Sequence, residues 1–145
     1  MCGISGIWLS ENSTINREKL LSDINSSLDH RGPDDSGIWF DKSLNLGLAH
    51  RRLSIVDLSK AGHQPMVSDS GRYIISLNGE IYNHLEIKKE LTKNKLTNLN
   101  WKGKSDTETL IKAIDCWGLI KTLEKITGMF ALALWDRKTK RLSLV

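Results

Sequence analysis

Apolar and polar residues follow one another along this chain in two rhythms, and the switches between them predict its elements. Ile4 to Leu9 is a short, mostly apolar run containing Gly6 and preceded by Gly3, which reads as a buried strand with close backbone approach. Asn16 is a good helix N-cap, and Leu20, Leu21, Ile24 and Leu28 recur behind it at helical spacing. His30-Arg31-Gly32-Pro33-Asp34 ends that helix. Ser36 to Phe40 and Leu44 to His50 read as two strands joined around Asp41-Lys42. Arg52 to Asp57 is a short extended segment, and Ser59 to Asp69 is a loop holding Gly62 and Pro65.

Arg72 to Leu77 is a further strand, which meets Asn78-Gly79 and then Glu80-Ile81-Tyr82. A helix follows from about His84 to Thr92, and Lys93 to Gly103 is a polar loop around Trp101. Ser105 and Glu108 have capping-box spacing and open a helix that turns Leu110, Ile111, Ile114 and Trp117 inward. Gly118 ends it, Leu119 to Ile126 is a second short helix, and Gly128 to Trp135 is strand-like. Asp136 to Lys140 is a hairpin turn into a last strand from Arg141 to Val145. Strands and helices in mixed order, joined by hairpin turns, predict an α+β layered fold. The pattern breaks off within a strand, so a domain of something longer is expected.

At 145 residues the chain suits one domain with room for a real core, and 39% hydrophobic with 26% charged residues is ordinary for a globular protein. The net charge of +4 comes from scattered lysines with no aromatic-interleaved basic stripe, so no nucleic-acid partner is expected. The start, MCGISGIW, lacks a basic n-region, and no run of about 18 apolar residues exists. These features predict no signal peptide, no membrane partner and a cytoplasmic location. Cys2 and Cys116 make no disulfide framework, and Cys116 falls in an apolar helical pattern. His30, His50, His63 and His84 show no metal-ligand spacing and are read as structural, so no metal is expected. Neither a GxGxxG nor a Walker-type motif occurs. Trp8, Trp39, Trp117 and Trp135 lie in apolar segments and are read as core.

The candidate chemistry starts at Cys2. Removal of Met1 leaves one residue carrying a thiol and a free α-amine, and an amine with pKa of roughly 7.7–8.0 is a usable base near neutral pH. This is the arrangement that replaces a Ser–His or Cys–His pair. Taken alone, Cys2 favours the reading of an inert small residue. Asn78-Gly79 taken alone favours a hairpin turn; the sharper reading is an oxyanion hole made by a side-chain amide and a backbone N–H. Arg52 is either a strand-edge arginine or a fork for a carboxylate. Asp106 either complements a helix N-terminus or binds an ammonium. Arg52 and Asp106 together suit the zwitterionic end of an amino acid.

Six motifs then occur in one order: Met1-Cys2-Gly3-Ile4, His30-Arg31-Gly32-Pro33-Asp34, Arg52-Leu53-Ser54-Ile55-Val56-Asp57, Asn78-Gly79-Glu80-Ile81-Tyr82-Asn83, Ser105-Asp106-Thr107-Glu108 and Gly128-Met129-Phe130-Ala131. Together they resemble the N-terminal glutaminase domain of glutamine-hydrolysing asparagine synthetases. These are class II glutamine amidotransferases with the N-terminal-nucleophile hydrolase fold. The MCGI and SDTE segments are shared with amidotransferases that make glucosamine phosphate, whereas RLSIVD and NGEIYN look like the asparagine synthetase branch.

The resemblance implies a four-layer αββα sandwich, incomplete at its C-terminal side, with a partial glutaminase domain over residues 1–145 and the synthetase domain absent. It implies glutamine hydrolysis to glutamate and ammonia through a Cys2 thioester, the ammonia feeding ATP-dependent asparagine synthesis from aspartate in the full-length enzyme. By position, Cys2 is the nucleophile with its own amine as base, and Asn78 and Gly79 form the oxyanion hole. Arg52 takes the glutamine α-carboxylate and Asp106 its α-ammonium, while Leu53, Ile55, Val56 and Glu80 line the pocket and Arg31 lies in a loop near the site. No cofactor is implied for this domain, since ATP and Mg²⁺ belong to the synthetase domain. The implied partners are L-glutamine, that missing domain and, at full length, a second copy in a homodimer. Two alternatives stand beside this reading: an amidotransferase serving a cell-surface sugar or other acceptor, and a non-catalytic truncated glutaminase-like module.

Overall fold

The computed structural model describes residues 2–41, 43–54, 59–93 and 100–145. Strand β1 (Gly3–Trp8) leads to helix α1 (Arg17–Ser27), whose Asn16 cap accepts the Lys19 N–H at 3.0 Å. A single 3-10 turn at Asp29–Arg31 closes that helix, and β2 (Asp35–Asp41) and β3 (Leu46–Arg52) follow as the paired strands expected from the pattern. β3 is central in an antiparallel β1-β3-β2 sheet. Its register sets Gly3 opposite Arg51 and Asp35 opposite Arg52. Cys2, one residue ahead of Gly3, is thereby brought level with the end of β3.

The second sheet has the order β4-β5-β6-β7, with β4 (Met66–Val67), β5 (Tyr73–Ile81), β6 (Gly128–Asp136) and β7 (Arg141–Leu144) all antiparallel. Helices α2 (His84–Lys93), α3 (Asp106–Trp117) and α4 (Leu119–Leu123) complete the fold. Among the described residues no helix is long and apolar enough to cross a membrane.

Period-two alternation along β5 builds two cores at once. Tyr73, Ile75, Leu77 and Ile81 pack with Leu132 and Leu134 of β6 against Leu110, Ile111 and Ile114 of α3. Ile74, on the other face, joins Ala133 and Trp135 of β6 with Leu46 and Leu48 of β3 to fill the space between the sheets. α1 covers the outer face of the first sheet through buried Leu21, and α2 packs on α3 through Ile87, Leu91 and Ala113. The order of layers is α1, first sheet, second sheet, then α3 with α2, which is the αββα arrangement.

α3 carries the second sheet and one wall of the site. Ser105 caps it by accepting the Glu108 N–H at 3.1 Å. The reciprocal half of the expected capping box is replaced: the buried Glu108 carboxylate accepts the Lys102 and Gly103 N–H groups at 2.8 and 2.9 Å, holding the entering chain against the helix. Lys112, one turn on, is buried with Asp69 and Glu108 as its carboxylate partners, the pairing that a buried ammonium requires.

Four expectations are revised. The Asn78-Gly79 dipeptide is no hairpin turn, because β5 runs straight through it in an unbroken ladder from Tyr73 opposite Asp136 to Ile81 opposite Gly128. Trp8 is 53% exposed rather than core; it stands at the end of β1 with its ring edge-on to Trp135, centroids 5.6 Å apart. Trp135 is fully buried and donates its indole N–H to Asp41 at 3.1 Å. The segment from Leu119 to Ile126 is helical only as far as Leu123, and the loop before Asp69 contains β4.

Candidate active site

The ends of β1 and β3, the middle of β5 and the first turn of α3 converge on one open cavity of about 240 Å³. Its walls carry Cys2, Arg52, Leu53, Asn78, Gly79, Glu80 and Asp106. Both sheets and the outer helix therefore contribute, which is how a layered fold places residues far apart in sequence around one small-molecule space.

Cys2 is held at both ends. Arg31 donates from Nε to the Cys2 carbonyl at 3.0 Å, and the Leu53 N–H points at the sulfur at 3.4 Å, with the Leu53 carbonyl 3.8 Å away. The thiol is thus seated at the mouth of the cavity by backbone groups of the segment that follows β3.

Arg52 closes β3 and is 8% exposed, yet it reaches the cavity wall. Its Nη1 donates to the Ser59 carbonyl at 2.9 Å. The loop comes this close because residue 62 has no side chain: a Cβ at Gly62 would lie 2.0 Å from Arg52 Nη2. Asp106 is equally buried. One oxygen accepts the Ile81 N–H at 2.9 Å and the other the Thr107 N–H at 2.8 Å, so it braces the helix start against β5 while its carboxylate faces the cavity. Guanidinium and carboxylate stand in one space as charges of opposite sign.

Asn78 and Gly79 lie opposite Ala131 and Phe130. Gly79 has φ of +153° and touches β6 so closely that a Cβ would sit 2.3 Å from the Met129 carbonyl oxygen. The Asn78 side-chain oxygen is buried with no hydrogen-bond partner among the described residues. That orphaned oxygen marks Asn78 as a side chain that the described residues do not fully satisfy. His50, one residue before Arg51, sits behind this strand: it is 1% exposed and its Nε2 lies 2.9 Å from the Leu77 carbonyl. Burial pushes its pKa down to about 4, so the ring is neutral at ordinary pH and serves as a strut.

The model of the glutamine amidotransferase domain matches residues 1–145. The chain belongs to the glutamine amidotransferase family. It is 35% identical over 150 residues to the glutamine-hydrolysing asparagine synthetase 2 of Bacillus subtilis, covering 100% of this chain and 18% of that protein. It is 34% identical over 151 residues to amidase chry2 of Gibberella zeae, covering 98% of this chain and 22% of that protein. The chain thus spans about a fifth of the length of these relatives. Among solved structures, the glutamine phosphoribosylpyrophosphate amidotransferase of Bacillus subtilis aligns with a TM-score of 0.64 at 20% identity, over 92% of this chain and 35% of that one. That likeness carries the fold, which is of the N-terminal-nucleophile hydrolase type.

Measured against the family motifs, the structure brings Cys2, Arg52, Leu53, Asn78, Gly79, Glu80 and Asp106 together. Ile55 and Val56 lie outside the described residues. Gly62 and Gln64 line the cavity from outside the motifs, and Thr107, Tyr82 and Met129 line it from motif positions to which the resemblance gives no role. Tyr82 and Met129 are exposed apolar groups at its rim. Thr107 was legible as part of the SDTE segment, whereas Gly62 and Gln64 sit in a polar loop whose only signals are turn residues.

Proposed function

We propose that this cavity hydrolyses L-glutamine to glutamate and ammonia. The observation that carries the proposal is the sharing of one small space by a thiol at residue 2, the Asn78 side chain and a guanidinium–carboxylate pair. The Arg52 fork takes the α-carboxylate and Asp106 the α-ammonium, which lays the side-chain amide toward Cys2. With Met1 removed, the Cys2 amine takes the thiol proton and sulfur attacks the amide carbon. The Asn78 amide and the Gly79 N–H stabilise the oxyanion, and collapse of the tetrahedral adduct breaks the C–N bond, with the proton passing to the departing ammonia. Water then attacks the thioester and releases glutamate, restoring the thiol.

Family membership and the likeness to the N-terminal part of asparagine synthetases support a further step. The ammonia serves an ATP-dependent synthetase domain that converts aspartate to asparagine, with ATP and Mg²⁺ bound in that domain and the full-length enzyme a homodimer. The RLSIVD and NGEIYN segments resemble the asparagine synthetase branch, which also holds amidotransferases for cell-surface sugars. The test is release of glutamate and ammonia from glutamine by a chain that begins at Cys2, compared with Cys2→Ala. Equimolar products that disappear in the folded variant are expected. Turnover retained in Cys2→Ala overturns the nucleophile assignment.

A further inference from the structure

Gln64 belongs to none of the six motifs, yet it is 5% exposed, lines the cavity and makes a set of contacts that its neighbours cannot make. We propose that Gln64 is a positioning residue that sets the oxyanion strand of this site. The proposal rests on the glutaminase reading above.

The argument starts from register. β4 and β5 pair with Met66 opposite Ile75 and Val67 opposite Ile74. Carried two residues further, the same register sets position 64 across from Leu77, the residue before Asn78. The backbone ladder stops at Met66, short of that pair. The Gln64 side chain takes the place of the missing peptide group. Its Oε1 accepts the Leu77 N–H at 2.6 Å, and its Nε2 lies 3.4 Å from the Leu77 carbonyl. Nε2 also donates to Thr107 Oγ1 at 3.2 Å.

These partners fix the amide in one orientation. Turned over, it would set an NH₂ against the Leu77 N–H and an oxygen against the Leu77 carbonyl. The backbone of Gln64 is fixed as well, since Gly37 of β2 passes so close that a Cβ there would lie 1.9 Å from the Gln64 carbonyl oxygen. The consequence falls on Asn78 and Gly79. β5 is tied to the start of α3 on both sides of that pair: by Gln64 and Thr107 ahead of it, and by Asp106 holding the Ile81 N–H behind it. His50 helps at the Leu77 carbonyl, but the Leu77 N–H has Gln64 as its acceptor. Donors aimed at a developing oxyanion act through prior placement, and a shift of about 1 Å costs on the order of a hundredfold in rate.

The experiment is steady-state glutamine hydrolysis by Gln64→Met, Thr107→Val and the double variant, in chains beginning at Cys2 and checked for folding by circular dichroism and thermal melting. Gln64→Met keeps the length and removes the amide. Its kcat is expected to fall roughly 10- to 100-fold, with the glutamine KM within about threefold. Thr107→Val removes only the second anchor of the amide and is expected to lower kcat several-fold. The double variant is expected to be no worse than Gln64→Met, because Thr107 acts through the same amide. Equal falls in kcat/KM arising from KM alone, or additive losses in the double variant, overturn the proposal. If Gln64→Met does not fold, Thr107→Val decides: an unchanged kcat overturns it. A wild-type chain without turnover overturns the glutaminase reading and this proposal with it, whereas wild-type turnover that persists within twofold in folded Gln64→Met overturns this proposal alone.

Discussion

Gly62 is the position at which the role of Arg52 is tested without replacing Arg52. Its backbone is not left-handed, so alanine is sterically permitted as far as the main chain is concerned. The added Cβ, however, would lie 2.0 Å from Arg52 Nη2 and 2.6 Å from Cζ. Those atoms are the far end of a flexible side chain, so the guanidinium moves and the loop stays. Its displacement breaks the Nη1 bond to the Ser59 carbonyl and withdraws the fork from the cavity wall. A hydrogen bond to a charged group contributes about 1.5–3 kcal/mol. At 1.36 kcal/mol per tenfold, loss of the grip on the α-carboxylate raises the glutamine KM about 10- to 150-fold. Stability changes less, because the lost Ser59 bond is offset by about 0.4–1 kcal/mol from the stiffer unfolded chain. kcat is expected to change by less than about threefold, since Cys2 and Asn78 are untouched. The assay is glutamate release against glutamine concentration, with iodoacetamide alkylation of Cys2 as a control for the thiol. A folded Gly62→Ala chain with the wild-type KM would refute the assignment of Arg52 as the carboxylate clamp.

Asp106→Asn keeps an acceptor for only one of the two N–H groups now held, those of Ile81 and Thr107, and removes the charge. It is expected to raise the glutamine KM more than it lowers kcat and to cost about 1–3 kcal/mol in stability, read by urea unfolding; an unchanged KM counts against its role as ammonium partner. His50 gives a pH dependence of known sign. Its folded pKa of about 4 lies below the unfolded value of 6.5, so the unfolded chain takes the proton more readily. Its contribution is complete above about pH 6.5 and is lost as the pH falls toward 4, amounting to about 2 kcal/mol between pH 7.5 and pH 5. Urea unfolding at those two pH values measures it, and His50→Gln is expected to flatten the difference; an equally steep dependence in that variant assigns it to another group. The Asp136 carboxylate, held well below the usual range by its bond to Arg72, contributes only to losses at more acid pH.

Local signals were read well and non-local ones were not. Asn16 and Ser105 were legible as caps because capping is settled within three residues of the cap, and both accept the N–H expected of them. The helix from Asp106 and the strands around Asp41 and Asp136 were legible for the same reason. Asn78-Gly79 misled because its turn preference is local, whereas nine paired residues of β6 hold the segment extended. Trp8 misled because apolar content alone does not show where a strand outruns its cover. The site residues within motifs were legible through family resemblance, not through spacing. Gln64 and Gly62 were not, since the value of one depends on the β4–β5 register and of the other on where the Arg52 side chain passes. Neither leaves a trace in periodicity.

The central claim is that Cys2 is a glutamine-directed nucleophile within the assembled cavity. The most direct measurement is the intact mass of the folded chain, with its N-terminus at Cys2, before and after 6-diazo-5-oxo-L-norleucine, a glutamine analogue that alkylates such thiols. The account predicts a single adduct that maps to Cys2, spares Cys116 and is suppressed by excess glutamine. A folded chain with a free Cys2 amine that gains no adduct, or gains it equally at Cys116, would contradict it.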